Sequence, residues 1–511
     1  MSYMKDNHAV GEGGRQSGVL LHPTSLPGFR GIGTLGREAL RFVESLEEMG
    51  QGIWQVLPLS PVDAGGSPYS SPSGSAISPL LLDFEMLRED GIIKEYELPH
   101  MVEGGMDYRE VFRQSSVMTA TVCAGFDGCA GAELRAEFDE FCCQNAGWLD
   151  DHSIFTVLKA RFCGRSWIEW PPELARRQTG ALATVTRDCA DDIKGEKMLQ
   201  FLLHKQWQRI REHAVAHGVS LFGDLPIYAA LDSVDVWAHP ELFKLDADGH
   251  PLMMAGVPPD YFSETGQLWG NPVYRWDAHI ETGFEWWLGR LERALELFDI
   301  LRIDHFRGFE SCWEVPAGEV TAVNGNWVKV PGAQLFKLAV ERFGSDSFVA
   351  EDLGVITDEV LALRDRFGLP GMRILQFELE GDDALAVEAY PENTVVYTGT
   401  HDNDTVRGWF AGEQARESSA FQRVRDMGLL DDGEENLHWK MIEFGMRSSA
   451  RIFIAPLQDV MGLGSDARMN TPGTTAGNWR WRFTQEMLTE EMKERMRGLA
   501  RRHGRSETEL L

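Results

Sequence analysis

Short apolar runs recur along the chain, and each closes on polar or ionisable residues. They read "GVLLH" (18–22), "GIWQVLP" (52–58), "VSLFGDLP" (219–226), "DILRID" (299–304), "SFVAED" (347–352), "MRILQF" (372–377), "TVVYTG" (394–399) and "RIFIAPLQD" (451–459). Such short runs, lacking strict alternation, suit strands buried on both faces. Between most of them the apolar positions switch to helical spacing, as in 35–50, 285–298 and 357–368, the last with Thr357 as N-cap and Gly368 as stop. Eight strand-then-helix units predict an α/β fold, a (β/α)8 TIM barrel.

The spacing of the runs is uneven. Residues 59–218, between strands two and three, are too many for a loop and predict a largely helical insertion. A second insertion, of loops and a hairpin, is expected within 227–298 after strand three, covering the active site. Its "DADG" (246–249) reads as a hairpin turn, because the spaced acidic ligands and closing Glu of an EF-hand are missing. The whole chain, 1–511, is expected to form one catalytic barrel domain carrying these insertions.

Composition narrows the options. The 43% hydrophobic content, with 16 Trp and 27 Phe, supplies a large core. No segment approaches the uncharged run of about 18 residues that a membrane helix needs, so no membrane partner is expected. The start, "MSYMKDNHAVGEGGRQ", lacks a signal-peptide apolar region, which predicts a cytoplasmic protein. Six of the seven Cys (Cys123, Cys129, Cys142, Cys143, Cys163, Cys189) fall in one stretch without C-x-x-C spacing and read as reduced thiols. A formal charge of -30, from 49 basic against 79 acidic residues, repels polyphosphates over a Debye length of roughly 8 Å. Nucleic acid is therefore not an expected partner, whereas neutral ligands such as sugars are indifferent to the field.

"GIGTLG" (31–36) spells a dinucleotide fingerprint, but that motif must follow its strand directly, and "PTSLPGFR" intervenes. The next strand end, "VLPLSP", offers no acid for a ribose. A tight loop above the barrel is the better reading.

In barrel enzymes the chemistry sits at the C-terminal ends of the strands. Three ends carry ionisable residues: Asp304 on strand four, Glu351 and Asp352 on strand five, His401 and Asp402 just after strand seven. Arg302 and Asp304, two apart, point the same way on a strand, so the guanidinium favours an ionised Asp304, a usable nucleophile. Glu351 would feel that charge in a partly dry cleft, and both effects push it toward a general acid. Two carboxyls of separated acidity serve glycosidic cleavage. Parity does not choose between Glu351 and Asp352, or between Asp402 and Asp404. No metal site is expected, since strand one gives His22 and Pro23 in place of an H-x-H, and "MRILQF" has no Lys for a Schiff base.

The segments "LLHPTSLPG", "WQVLPLSP", "SPYSSPS", "GDLPIY", "AGVPPDYFSETGQLWGNPVYRWD", "LRIDHFRGF", "VAEDLG", "YTGTHDNDT" and "MNTPGTTAGNWRWR" together closely resemble the 4-α-glucanotransferase family, the amylomaltases or disproportionating enzymes, glycoside hydrolase family 77 of the α-amylase clan. The resemblance implies a cytoplasmic, cofactor-free barrel that moves α-1,4-glucan segments between maltooligosaccharide donors and acceptors by a retaining double displacement. It makes Asp304 the nucleophile, Glu351 the general acid and base, and Asp402 the transition-state stabiliser. Arg302, His305 and His401 should hold the sugar, with Asp224 and Tyr69 nearby, while Gln267, Trp269 and Asn470 lie on loops covering the glucan. The chain departs from the family pattern at "SGSAISP", where an aromatic and then Gly-Asn-Pro are usual, and at Asp358, where Pro is usual. An α-amylase-type retaining hydrolase would use the same carboxylates and is the alternative; a silent glucan-binding barrel is the non-enzyme reading.

Overall fold

Each of the eight apolar runs forms a strand of one parallel sheet. The computed structural model describes residues 14–28, 31–63, 65–94, 108–259, 263–381, 386–474 and 476–506. Its strands in chain order are β1 (Gln16–Leu20), β2 (Ile53–Gln55), β3 (Ser220–Leu225), β4 (Met253–Val257), β5 (Gln267–Pro272), β6 (Ile300–Ile303), β7 (Ser311–Pro316), β8 (Asn326–Lys329), β9 (Phe348–Ala350), β10 (Gly371–Ile374), β11 (Thr394–Tyr397) and β12 (Ile452–Pro456). The large sheet runs β10-β11-β12-β1-β2-β3-β6-β9. Its two ends meet: the Ala350 N–H donates to the Pro370 carbonyl at 2.8 Å, and the Met372 N–H donates to Asp352 Oδ1 at 2.7 Å. The sheet is thereby a (β/α)8 barrel, with helices such as Arg37–Glu48, Glu285–Leu297 and Asp358–Arg366 following its strands.

Alternate residues of each strand divide between two cores, as the period-two geometry of strands requires. Leu20, Ile53, Phe222, Ile300, Val349, Met372, Ile374, Val395, Tyr397, Ile452 and Ile454 form one buried cluster, the barrel interior. Val19, Trp54, Leu221, Leu301, Phe348, Val396 and Phe453 belong to the other, packed under the helices. Gly223 on the outer face of β3 leaves room for a ring: a Cβ there would lie 2.2 Å from Phe298 Cδ2.

Between β2 and β3 the chain builds helices Phe84–Glu89, Tyr108–Cys129, Ala132–Gln144, Ala146–Arg161, Thr179–Asp188 and Ala190–Ala216. The last serves two bodies. Its first half presents Phe201 to Phe126, Phe138 and Phe141, with ring centroids 5.6 to 6.1 Å apart. Further along, Trp207 donates its indole N–H to the Leu297 carbonyl at 2.8 Å and packs edge-on against Phe298 at the barrel wall. No helix among the described residues is long and apolar enough to cross a membrane.

Above the C-terminal ends of β3 and β6 stands a four-stranded antiparallel sheet, β5-β4-β7-β8. The hairpin of β7 and β8 has no counterpart in the expectation from sequence, which placed added structure only after strands two and three. "DADG" makes a turn: Leu245 bridges Pro251, Asp246 accepts the N–H groups of Asp248 and His250 at 2.9 Å, and Gly249 has φ 90°. In "GIGTLG" the Gly33 N–H donates to the Thr24 carbonyl at 3.0 Å, and a Cβ at Gly33 would meet the Pro23 carbonyl oxygen at 2.1 Å. These glycines close a loop on the β1 end. Thr357 occupies the N-cap of Asp358–Arg366 without a side-chain cap bond, and Gly368 beyond that helix has φ 65°.

Candidate active site

Arg302 is the hub. It lies on the inward parity of β6 with Ile300, and so does Asp304 just past the strand end. Its Nη1 donates to Asp304 Oδ1 at 2.9 Å and to Asp224 Oδ1 and Oδ2 at 2.9 and 2.8 Å, while Nη2 lies 3.9 Å from Glu351 Oε2. Asp224 takes the same parity on β3 as Phe222, and its side chain is wholly buried. A buried carboxylate needs such a partner, and the guanidinium supplies it through Nη1, which reaches both Asp224 oxygens.

Glu351 continues the inward parity of Val349 on β9. Its Oε2 accepts the His305 backbone N–H at 2.7 Å and its Oε1 accepts that of Leu353 at 3.0 Å. His305 reaches this pose in the left-handed region, φ 46°, uncommon for a residue with a side chain, as the chain turns from β6 into the 3-10 turn Phe306–Phe309. Burial pushes Glu351 up to about 8; Arg302 and the two N–H donors oppose this, and the charge of Asp304 adds to it. Asp352, the neighbour that parity alone could not exclude, faces outward and pairs with Arg364.

On the far side of Arg302, Tyr69 donates its hydroxyl to Asp224 Oδ2 at 2.8 Å, and its ring stacks on His401 at 5.1 Å with planes 12° apart. His401 Nε2 lies 3.3 Å from Asp402 Oδ1, which also accepts the Asn470 side-chain N–H at 2.6 Å. Asp404 is turned away, accepting the Ser465 hydroxyl at 2.7 Å. On β5, Trp269 sets its ring edge-on to His305 at 4.9 Å, and its indole N–H donates to Gln267 Oε1 at 3.2 Å. One unbroken chain of contacts thus joins Gln267, Trp269, His305, Glu351, Arg302, Asp304, Asp224, Tyr69, His401, Asp402 and Asn470. Burial lowers His305 to about 4, which favours the neutral imidazole, and its buried Nε2 has no hydrogen-bond partner among the described residues.

Four residues escaped the sequence reading as parts of this site or its backing. Trp479 lies 6.0 Å from Tyr69 and 5.9 Å from His401, backing both rings, with φ 63°. Its carbonyl accepts the hydroxyl of Tyr108, from the first turn of a helix in the β2–β3 insertion, at 3.0 Å. Arg468 donates to the carbonyls of Asp402 at 2.6 Å and Asn470 at 2.7 Å. His22, at the end of β1, is buried, and that burial together with His401 lowers it to about 3. "NWRWR" announced an aromatic but carried no sign of its left-handed backbone. Among the described residues no group of three or more His, Cys, Asp or Glu is placed to hold a metal ion.

A barrel whose rim sets two carboxyls on one guanidinium, with a third carboxyl raised by burial and aromatic walls, is the architecture of an enzyme acting on glycosidic bonds. The family profile described as 4-alpha-glucanotransferase matches residues 21–488, and the chain belongs to that family. It is 47% identical over 493 residues to the 4-alpha-glucanotransferase of Thermus thermophilus, covering 95% of this chain and 98% of that one. Against the Synechocystis sp. enzyme of the same name it is 43% identical, covering 96% and 98%. Among solved structures, the amylomaltase from Streptococcus agalactiae in complex with acarbose superposes with a TM-score of 0.91 at 36% identity, covering 96% of this chain and 100% of that one.

Proposed function

We propose that this 4-α-glucanotransferase moves α-1,4-glucan segments between maltooligosaccharides with Asp304 as nucleophile, Glu351 as general acid and base, and Asp402 as stabiliser of the transition state. The observation carrying the assignment is the opposed pair on Arg302: Asp304 is bonded to the guanidinium, while burial and that neighbouring charge push Glu351 up to about 8. One carboxyl is suited to attack and the other to give up a proton.

Transfer with retention requires two inversions at the anomeric carbon. An Asp304 carboxylate oxygen forms an ester bond to C1 as the C1–O bond to the departing glucan breaks, and the Glu351 proton passes to the departing oxygen. The 4-hydroxyl of an acceptor then attacks C1, its proton goes to Glu351, and the ester bond to Asp304 breaks. Asp402, held by Asn470 and beside His401, faces the ring where oxocarbenium-like charge develops. His305, edge-on to Trp269 and tied through its backbone N–H to Glu351, borders the cleft that holds the sugar. Trp269, with 37% of its surface exposed, gives the acceptor an apolar face and limits water at the ester.

The seven free thiols suit a reducing cytoplasm, and the charge of -30 suits neutral glucans better than nucleic acid. Incubation with pure maltotriose tests the reading. A transferase converts it to glucose plus a ladder of longer glucans with no net gain of reducing ends; a rise in reducing ends without the ladder would instead indicate a hydrolase.

A further inference from the structure

Asp459 sits just past β12 and is 1% exposed, yet it touches none of the residues discussed so far. Its Oδ2 accepts the Thr398 hydroxyl at 2.6 Å, and its Oδ1 accepts the Val406 backbone N–H at 2.7 Å. Thr398 directly follows β11, and Val406 opens the helix Val406–Ala415. Residues 399–405, which carry His401 and Asp402, span the gap between these two anchors. One carboxylate therefore closes both ends of the segment.

We infer that Asp459 is a positioning residue for glucan transfer, pinning the segment that aims Asp402 at the reacting carbon. The inference rests on the stabilising role proposed for Asp402. Among the described residues the groups acting on Asp459 are Thr398, Val406 and Asp404, none of them basic, so no cation offsets its burial directly. Its compensation comes from the hydroxyl, the N–H, and the positive end of the helix that Val406 begins. Burial pushes the group up to about 6, with both hydrogen bonds opposing. The carboxyl group offers two separate oxygens, so each of the two anchors has its own acceptor.

The segment between the anchors has its own internal turn, with Asn403 Oδ1 accepting the Thr400 N–H and hydroxyl, both at 2.9 Å. Outside ties come from Gln376, donating to the Asp404 carbonyl at 2.9 Å, and from Arg468 at Asp402. These hold the middle of the loop; Asp459 sets the distance between its ends. A shift of about 1 Å in a catalytic group costs on the order of 100-fold.

The test compares Asp459→Ala, Asp459→Asn, Thr398→Val and Asp402→Asn with the parent on maltotriose and on α-maltosyl fluoride. Fluoride departs without a proton, so this donor relieves a defect in acid catalysis but not one in charge stabilisation. Asp459→Ala should lose roughly 30- to 100-fold in kcat with KM within about threefold, and fluoride release should stay slow. Asp459→Asn, which can donate to Thr398 and accept from Val406, should recover kcat to within about fivefold of the parent. Glu351→Ala, in contrast, should be rescued by the fluoride donor. A folded Asp459→Ala with kcat within twofold of the parent, or one restored by fluoride, overturns the inference. If Asp459→Ala does not fold, Thr398→Val decides: a kcat loss of about five- to tenfold at unchanged KM supports it, and unchanged kcat refutes it. Full activity in Asp402→Asn would remove the role proposed for Asp402, while an impaired Asp402→Asn beside an intact Asp459→Ala would remove only the positioning inference.

Discussion

The backbone N–H of His305 donates to Glu351 Oε2 at 2.7 Å, so the residue after Asp304 reaches across to the neighbouring strand's carboxyl. The left-handed turn at His305 makes this contact, and it fixes the two carboxyls relative to one another through main chain. The bond favours ionised Glu351, yet burial and Asp304 outweigh it. Glu351 is consequently pushed up to about 8, which favours its protonated form at neutral pH. As a general acid it must carry that proton, so kcat/KM for donor cleavage should fall as pH rises through about 8. With α-maltosyl fluoride as donor that alkaline limb should disappear from fluoride release. A limb that persists with fluoride would assign it to another group.

Replacing Asp304 by Asn removes the attacking oxygen. Transfer should drop by at least ~10³, about 4 kcal/mol of transition-state stabilisation. Product ladders from maltotriose measure this; near-normal turnover would take Asp304 out of the nucleophile role.

Arg302→Met leaves Asp224, whose side chain is wholly buried, with only the Tyr69 hydroxyl as hydrogen-bond partner among the described residues. Breaking a buried pair in this way costs about 3–5 kcal/mol. Chemical denaturation should show that loss, and Asp224→Asn in the same background should return part of it. If the double variant is no more stable than Arg302→Met, the charge on Asp224 is not the source.

Trp269→Ala strips the exposed aromatic face beside His305. Loss of stacking worth about 1 kcal/mol should raise the acceptor KM severalfold. Water then competes better for the ester, and reducing ends should accumulate during maltotriose turnover. An unchanged transfer-to-hydrolysis ratio would count against an acceptor-side position for this ring.

Gly223→Ala tests the barrel wall. The added methyl would stand 2.2 Å from the Phe298 ring, between β3 and the long helix carrying Trp207. Overpacking of this kind costs typically 1–3 kcal/mol. Thermal melts should register it, whereas an unshifted melting temperature would mean that Phe298 yields freely.

The barrel strands were legible because each is apolar on both parities, which is what burial between a filled interior and a ring of helices demands. Asp304 was legible because Arg302 marks its face. Glu351 over Asp352 was not, since periodicity says that the two point oppositely without saying which way is inward. That answer comes from closure: Val349 lies inside with Phe222 and Ile300, so Glu351 does too, and Asp352 goes to Arg364. The β7 and β8 hairpin stayed hidden because "SCWEVP" and "NWVK" are short and partly polar, and only the pairing of β7 with β4 and of β8 with β7 makes them strands. Trp479 and Asp459 were missed for a related reason. Their importance lies in a left-handed backbone and in two long-range hydrogen bonds, neither of which leaves a local signature.

The helix Ala190–Ala216 gives one rod to two bodies, with Phe201 buried among insertion rings and Trp207 against the barrel wall. Excising residues 59–218 to make a minimal enzyme would therefore strip cladding from the cylinder and, through Tyr108, release the backing of Trp479 behind the catalytic rings. Grafting a foreign module at this point has to splice within the rod, upstream of Trp207, so that its final turns continue to seat beside Phe298.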